Sequence, residues 1–548
     1  MSYTTNKKQN NFIIQGSILA IASLLSRIIG LLYRVPMTNI IGDEGMGYYN
    51  IAFQIYNLAL IISSYSMPLA VSKLVAAYCV KKEYKSSYRV FRAAMIIAGL
   101  SGLIISLVVY FGADFFAGVV FKSPRSAIPL RMVAPNIFLM AIIGTLRGYF
   151  QGKNTMMPTS ASQLLEQIVN AFVSVFAAYN FMVANSASED ISAYGAAGGT
   201  LGTVLGSCSA LLFLGFVYFA YRPIIKKQIR RDTMSPVEDY PSIFNMLLLT
   251  IAPVILSQTV YQLSGVIDNA IFGNIMHAKG FSSDQNSALL GIYSSKYNLL
   301  VNVPVAIASA IAASMVPAIV RARVQGANKE VKSKIHVAIK FNMIIAIPSA
   351  VGMTVLARPI LNMLFPTKDE NSAQLAIRLL MIGSIAIVFY ALSTISNAVL
   401  QGINKMNIPV KHSAISLVIH IVIVAGLLKF TDMKTYALVV GNITFPLVVC
   451  ILNWISIGKL LRYRQELLQS FIIPTICSFI MGIIAFLTYK GVHFIVHSNA
   501  FATIIAIGFG AATYFILLIL FKGVTENELC GLPKGHLIVN LAKKFHLM

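Results

Sequence analysis

Apolar runs of about twenty residues, separated by short polar connections, recur along almost the whole chain and end near residue 522. At 1.5 Å rise per residue, about twenty residues match the roughly 30 Å hydrocarbon core of a bilayer. The pattern predicts an all-α, polytopic membrane protein with fourteen spans: 12–41, 48–78, 93–114, 132–151, 160–182, 196–221, 243–275, 288–318, 337–360, 375–400, 410–429, 436–458, 470–489 and 500–522. A membrane β-barrel would instead show short segments of alternating polarity. The N-terminus is polar and the first apolar run is too long for a signal-peptide core, so no cleaved leader is expected.

Lysine and arginine concentrate in alternate connections. Lys81, Lys82, Lys85, Arg89 and Arg92 fall on one side, with Lys226, Lys227, Arg230 and Arg231, then Lys329, Lys332, Lys334 and Lys340, then Lys459, Arg462 and Arg464. Connections on the other side are sparser, with Lys122, Arg125, Lys279, Arg358 and Lys368 among them. The positive-inside rule makes the rich side cytoplasmic. Both termini, carrying Lys7 and Lys8, and Lys534, Lys543 and Lys544, are then cytoplasmic in a multi-pass plasma-membrane protein. The connection from Arg222 to Pro241 is the longest basic one and reads as a linker between two halves.

An internal repeat supports the halves. Gln151, Gly152, Asn154 and Met156 match Gln401, Gly402, Asn404 and Met406, each after an apolar run. Tyr56-Asn57-Leu58 likewise match Tyr297-Asn298-Leu299, and Pro68 and Pro317 follow them. Two six-span lobes in parallel repeat are expected, with residues 1–235 as the first lobe and linker, 236–465 as the second, and 466–548 as two added spans and a tail. The QG-x-N segments read as tight structural turns, and Pro253, Pro304, Pro348 and Pro446 as kinks within spans.

Composition sharpens the class. Hydrophobic residues make up 57% of the chain and charged residues only 11%, with a mean hydropathy of +0.75, which excludes a soluble globular domain. The net charge of +24 sits mostly in the connections, where it points to anionic lipid headgroups rather than nucleic acid. Five cysteines, four of them in or beside apolar runs, form no disulfide framework. No metal-ligand spacing, phosphate loop or nucleophile motif stands out, so neither an enzyme nor a bound cofactor is expected.

The informative residues are the few charges inside spans. Arg27 and Arg34 lie two helical turns apart in the first span, on one face of a continuous helix. An arginine at mid-bilayer costs roughly 2.5–3.5 kcal/mol on insertion scales, so it is kept most readily where it lines a wet cavity or grips an anion. The alternative for Arg34 is snorkelling from a long tilted helix. Lys296 lies in the eighth span beside Ser294, Ser295 and Asn298, and Asp268 in the seventh is a candidate counter-charge or a structural ion pair. Glu166 shares a polar stripe with Gln163, Gln167 and Asn170, and interhelical hydrogen bonding explains it as well as ion coupling does. Asn57 and Asn298 are further polar cavity candidates, and Arg147 reads as interfacial. Cations thus outweigh carboxylates around a cavity between the halves, which suits a phosphate or diphosphate.

The stretches SRIIGLLYRVPMTNIIGDEGMGYYNIAFQIYNL and LRGYFQGKNTMMPTSASQLLEQIVN resemble the polysaccharide-export branch of the multidrug/oligosaccharidyl-lipid/polysaccharide (MOP) superfamily. More narrowly they resemble the stage V sporulation protein B and MurJ-type lipid II flippases of Gram-positive bacteria. The resemblance implies fourteen spans in two lobes and outward movement of undecaprenyl-diphosphate-linked peptidoglycan precursors by alternating access. It also implies diphosphate contacts at Arg27, Arg34 and Lys296, and coupling to membrane potential, H⁺ or Na⁺. A further family arginine of the second span would fall near Leu60, and one often found in the fifth span has Asn170 in its place. The expected function is a flippase for a lipid-linked glycan in cell-wall or spore-cortex synthesis, acting as a monomer beside cell-wall synthesis proteins. Alternatives are a flippase for another polysaccharide unit, or a cation-coupled drug exporter using Asp268 or Glu166.

Overall fold

The computed structural model describes residues 18–19, 21–232, 237–367, 369–524 and 526. Lys7, Lys8, Lys368, Lys534, Lys543 and Lys544 lie outside that range, as do the first residues of the expected span 12–41 and the side chains of Pro253 and Pro317. The expected orientation of the termini therefore falls on residues that are not described. Every regular element among the described residues is helical. Among the described residues ten helices are long and apolar enough to cross a membrane, and eleven if the bent pair Glu370–Gly383 and Ala386–Gly402 counts as one span. The chain divides into two compact units, Met1–Ser295 and Lys296–Met548.

The first unit begins with α1 (Ile21–Leu32) and α2 (Arg34–Leu60). Tyr33 joins them in helical geometry, φ −70° and ψ −21°, and its N–H donates to the Ile29 carbonyl while its own carbonyl accepts from Met37, each at 3.2 Å, so the helical run continues through it. Within α2 the helix is broken by a kink at Gly42, at φ 72° and ψ 179°, a conformation open essentially only to glycine. A five-residue π-helical turn, Ile61–Tyr65, leads into α3 (Met67–Val80). Then come α4 (Tyr84–Phe111), the short α5 (Ala127–Val133), α6 (Pro135–Gly152) and α7 (Met157–Ala184).

Helix α8 (Ile191–Arg231) is 41 residues long, which corrects the reading of the basic linker as a loop. At about 1.5 Å per residue it is roughly 60 Å long, twice the apolar thickness. Its basic end, including Pro223, continues as helix beyond the span. Helices α9 (Tyr240–Ala278) and α10 (Ser283–Gly291) complete the unit. Small residues set its packing. A Cβ at Gly198 or Gly202 of α8 would meet Ala177 or Ser174 of α7 at 2.5 and 2.1 Å, the close approach that small residues allow between membrane helices. One core joins Met37, Ile41, Tyr48 and Tyr49 of α2 to Ala178 and Ala193, and a second joins α3, α4, α6, α8 and α9.

The second unit holds α11 (Leu299–Val324), α12 (Asn328–Val355), α13 (Ala357–Leu364), α14 (Glu370–Gly383) and α15 (Ala386–Gly402). Helices α16 (Asn407–Phe430), α17 (Thr435–Leu461), α18 (Ile473–Val496) and α19 (Asn499–Leu520) follow. The last two pack on α12 through Ile344, Cys477, Met481, Tyr514 and Leu518, with the Tyr514 hydroxyl donating to the Ile344 carbonyl at 2.9 Å. Their outer faces leave Phe479, Ile483, Leu487 and Ile504 exposed. That face suits lipid contact, because a bilayer solvates apolar side chains.

Matched sequence positions adopt matched geometry in the two units. Asn154 and Asn404 both sit at φ 61°, the left-handed region that asparagine tolerates. Each donates its N–H to the matched glutamine's carbonyl, Gln151 at 2.9 Å and Gln401 at 3.0 Å. The matched tyrosines are both buried and hydrogen-bonded, but in opposite senses. Tyr56 accepts from Asn136 at the start of α6, and Tyr297 donates to Gly383 at the α14–α15 break. The four cysteines among the described residues are free.

Candidate functional site

In the first unit Arg27, Arg34 and Arg147 lie within apolar helices in very different settings, and Arg125 lies at one end. Arg27 is exposed on α1. Arg34, the first residue of α2, sits against the phenol groups of Tyr33 and Tyr49, whose hydroxyls are 3.2 Å apart. Its Nε is buried with no hydrogen-bond partner. The two arginines thus differ in burial along one helical run. Below Tyr49 an aromatic ladder runs along α2: Tyr49 stacks on Phe53 at 4.5 Å, and Phe53 meets Tyr56 edge-on at 5.5 Å. Asn57, next in α2, is half-buried.

The polar stripe of α7 is shared among its neighbours. Gln163 accepts from Ser23 of α1 at 3.3 Å, and Asn170 accepts from Thr203 of α8 at 3.4 Å as well as from Ser174 of its own helix at 2.8 Å. Glu166 pairs with Arg147 of α6 at 2.8 Å, and Arg147 Nε also donates to Ser162 at 3.0 Å. Only 9% of the Arg147 side chain and 13% of Glu166 is exposed. This corrects the interfacial reading of Arg147, which is a buried ion-pair member. Its partner lies one helix away in sequence, so apolar context alone could not reveal it.

Lys296 begins the second unit, within the π-helical turn Ile292–Asn298. It is buried, and its ammonium donates to Ser372 at 3.2 Å. Asn298 is half-buried, and Asp268 is buried in α9 of the first unit. Lys340, counted above with the cytoplasmic connections, is 1% exposed inside α12 and donates to Gln469 at 3.1 Å. That correction reflects packing of the segment before α18 over the end of α12. The second unit also carries an apolar groove of about 460 Å³ on its exposed face, lined by Val351, Val355, Met381, Ile385, Phe479 and Phe486.

Sequence reasoning treated Arg125 as an ordinary connection residue. In the structure it gathers the end of the first unit opposite Lys153. Its guanidinium reaches Asp190 at 2.6 Å and Asp284 at 2.8 Å, while the Tyr48 hydroxyl bridges Glu44 and Asp284 at 2.7 Å each. The backbones meet closely beside it: a Cβ at Gly47 would lie 1.9 Å from the Ser287 carbonyl oxygen. Two sequence-distant turns and helix α2 therefore close on one arginine.

This multi-span helical bundle is a membrane transporter of the MOP superfamily, as its two family matches show. The chain belongs to the family described as "Polysaccharide biosynthesis protein", whose model matches residues 14–323; the MatE model matches residues 253–425. Stage V sporulation protein B of Bacillus subtilis (strain 168) is 25% identical over 531 residues, covering 96% of this chain and 99% of that protein. Lipid II flippase MurJ of the same organism is 27% identical over 480 residues, 85% of this chain and 86% of its own. Among solved structures, a lipid II flippase MurJ in an inward closed conformation matches with a TM-score of 0.67 at 17% identity, covering 92% of this chain and 98% of the other. An inward-facing multidrug resistance MATE transporter matches at 0.65 and 14% identity, covering 82% and 99%. At those identities the structural likeness speaks for the fold.

Proposed function

We propose that the protein is a flippase for a lipid-linked glycan carrying a diphosphate, with a peptidoglycan precursor of the lipid II type as first candidate, working by alternating access. The observation that carries this reading is Arg34: a cation in an apolar helix, against two phenols, with a buried Nε that nothing satisfies. A buried polar atom without a partner is costly, and a diphosphate oxygen is a fitting acceptor for a guanidinium fork. Arg27 and Lys296 are the further cations of this proposal, and Asn57, Asn298 and Asp268 its polar candidates. Glu166 is engaged by Arg147, which argues against it as the ion site of a drug exporter. The apolar groove of the second unit has the chemistry of a polyprenyl chain.

The fourteen-span topology is part of the proposal. It is supported by the Gly42 kink within α2 and by the lengths of α9 and α11. Cysteines placed at 237–239 and at 185–188 should label from opposite sides of the membrane, and reactivity of both from outside would break it. The function is tested by complementing depletion of a lipid II flippase. The wild-type chain should restore growth. Arg27→Ala and Arg34→Ala should fail at normal protein levels, and Arg34→Lys should rescue partly, since an ammonium keeps charge but loses the fork. Full growth with Arg34→Ala would overturn the diphosphate reading, and failure of the wild type would turn the search to another polysaccharide unit.

A further inference from the structure

A cavity of about 580 Å³ opens in the first unit where α3, α6 and α8 meet the QGKN turn, far along the chain from the arginines of α1 and α2. Lys153 is the only charged residue in its lining, and no carboxylate lines it. The ammonium donates to Gln228 Oε1 at 3.0 Å and lies 4.8 Å from the centre of the Tyr149 ring. Both partners are neutral, and among the described residues Lys153 forms no ion pair. Burial lowers the pKa of this lysine, since desolvation penalises its charged form. Gln151 and Asn154 also line the cavity and bring polar side chains to it, while the Thr155 hydroxyl donates to the Phe150 carbonyl at 2.9 Å.

The rim differs from the floor. Val80 at the end of α3 is 85% exposed, and Ile224 of α8 is 50% exposed, so apolar surface flanks the mouth. Lys81 follows Val80 directly and Arg222 stands two residues before Ile224, both exposed. A cation without a counter-ion, hydrogen-bonding groups around it, an apolar approach and a basic fringe together match an amphiphile with an anionic phosphate head.

We propose that this cavity binds the phosphodiester of an anionic membrane phospholipid, with Lys153 on the phosphate and an acyl chain along Val80 and Ile224. A free phosphate would satisfy Lys153 but leave the apolar rim without a role. The site is separate from the proposed transport site, so its test does not depend on what the protein carries. The topology reading affects only which leaflet supplies the lipid.

The test is native mass spectrometry of the purified full chain, titrated with phosphatidylglycerol, phosphatidylcholine or glycerol 3-phosphate. The wild type should retain phosphatidylglycerol over phosphatidylcholine and should not retain glycerol 3-phosphate. Lys153→Gln should weaken phosphatidylglycerol retention by about fivefold, the effect of one lysine near an anionic lipid surface. Ala76→Leu, which fills the cavity with every charge intact, should weaken it to a similar degree and guards against a misfolded lysine variant. Lys81→Gln, on the exposed fringe, should change it less than either. Equal retention of the two lipids, or wild-type retention by both cavity variants, would overturn the proposal. Equal binding of glycerol 3-phosphate would overturn its lipid part.

Discussion

Arg34 and Arg147 are both arginines in apolar helices of the same unit, and the structure treats them in opposite ways. Arg147 is buried with a carboxylate at 2.8 Å and a serine hydroxyl at 3.0 Å. Its charge is neutralised and its fork occupied, so it ties α6 to α7 and has little left for a ligand. Arg34 has two phenols and a buried Nε without a partner. Burying a charge is tolerable when it is paired and costly when it is not. The difference teaches that position within a span does not identify a functional cation. What identifies it is the unspent hydrogen-bonding capacity left after its neighbours are counted.

The largest expected effect comes from breaking the satisfied member. Glu166→Ala leaves Arg147 buried without a carboxylate and should destabilise the protein by about 3–5 kcal/mol. That would appear as loss of folded yield and a sharp fall in melting temperature in detergent. Replacing both partners, Arg147→Met with Glu166→Leu, should be much milder than either single change, because it removes the orphaned charge. If Glu166→Ala melts like the wild type, the pair is not structural and the contrast with Arg34 fails.

A smaller effect is expected one bond further out. Ser162→Ala removes the acceptor of Arg147 Nε but keeps the ion pair. A hydrogen bond to a charged group contributes about 1.5–3 kcal/mol, so the melting temperature should fall by less than for Glu166→Ala. An equal or larger fall would mean that the serine, rather than the carboxylate, holds Arg147.

How much of this was legible in the sequence follows from the range over which each feature is decided. Apolar run length is a local property and marks the helices, from α3 to the closing hairpin of α18 and α19. The QG-x-N turns are local as well: asparagine tolerates the left-handed conformation, and Asn154 and Asn404 adopt it. The polar stripe on α7 was visible from spacing, but not its division among α1, α6 and α8. Arg147 was misread because Glu166 lies on the next helix. Lys340 was misread because its cover comes from Gln469, over a hundred residues away. Arg125 looked like a surface connection because Asp190 and Asp284 come from two distant turns. Each miss is a charge whose environment is made by tertiary packing.

The smallest expected stability effect belongs to the unsatisfied member, and it is the most discriminating. Arg34→Met keeps the apolar stem of the side chain while removing the guanidinium and its buried, unpartnered Nε. Losing a charge that no carboxylate balances should leave the melting temperature within a few degrees of the wild type, equivalent to about 1 kcal/mol or less, or raise it slightly. Transport, read as growth of the flippase-depleted strain, should nevertheless be lost. Stability and function thus part in opposite senses at the two arginines: Glu166→Ala loses fold and function together, Arg34→Met function alone. A large loss of stability in Arg34→Met would show that Tyr33 and Tyr49 satisfy this cation as fully as Glu166 satisfies Arg147. It would then be a structural residue, and the anion-binding role would have to move to Arg27 or Lys296.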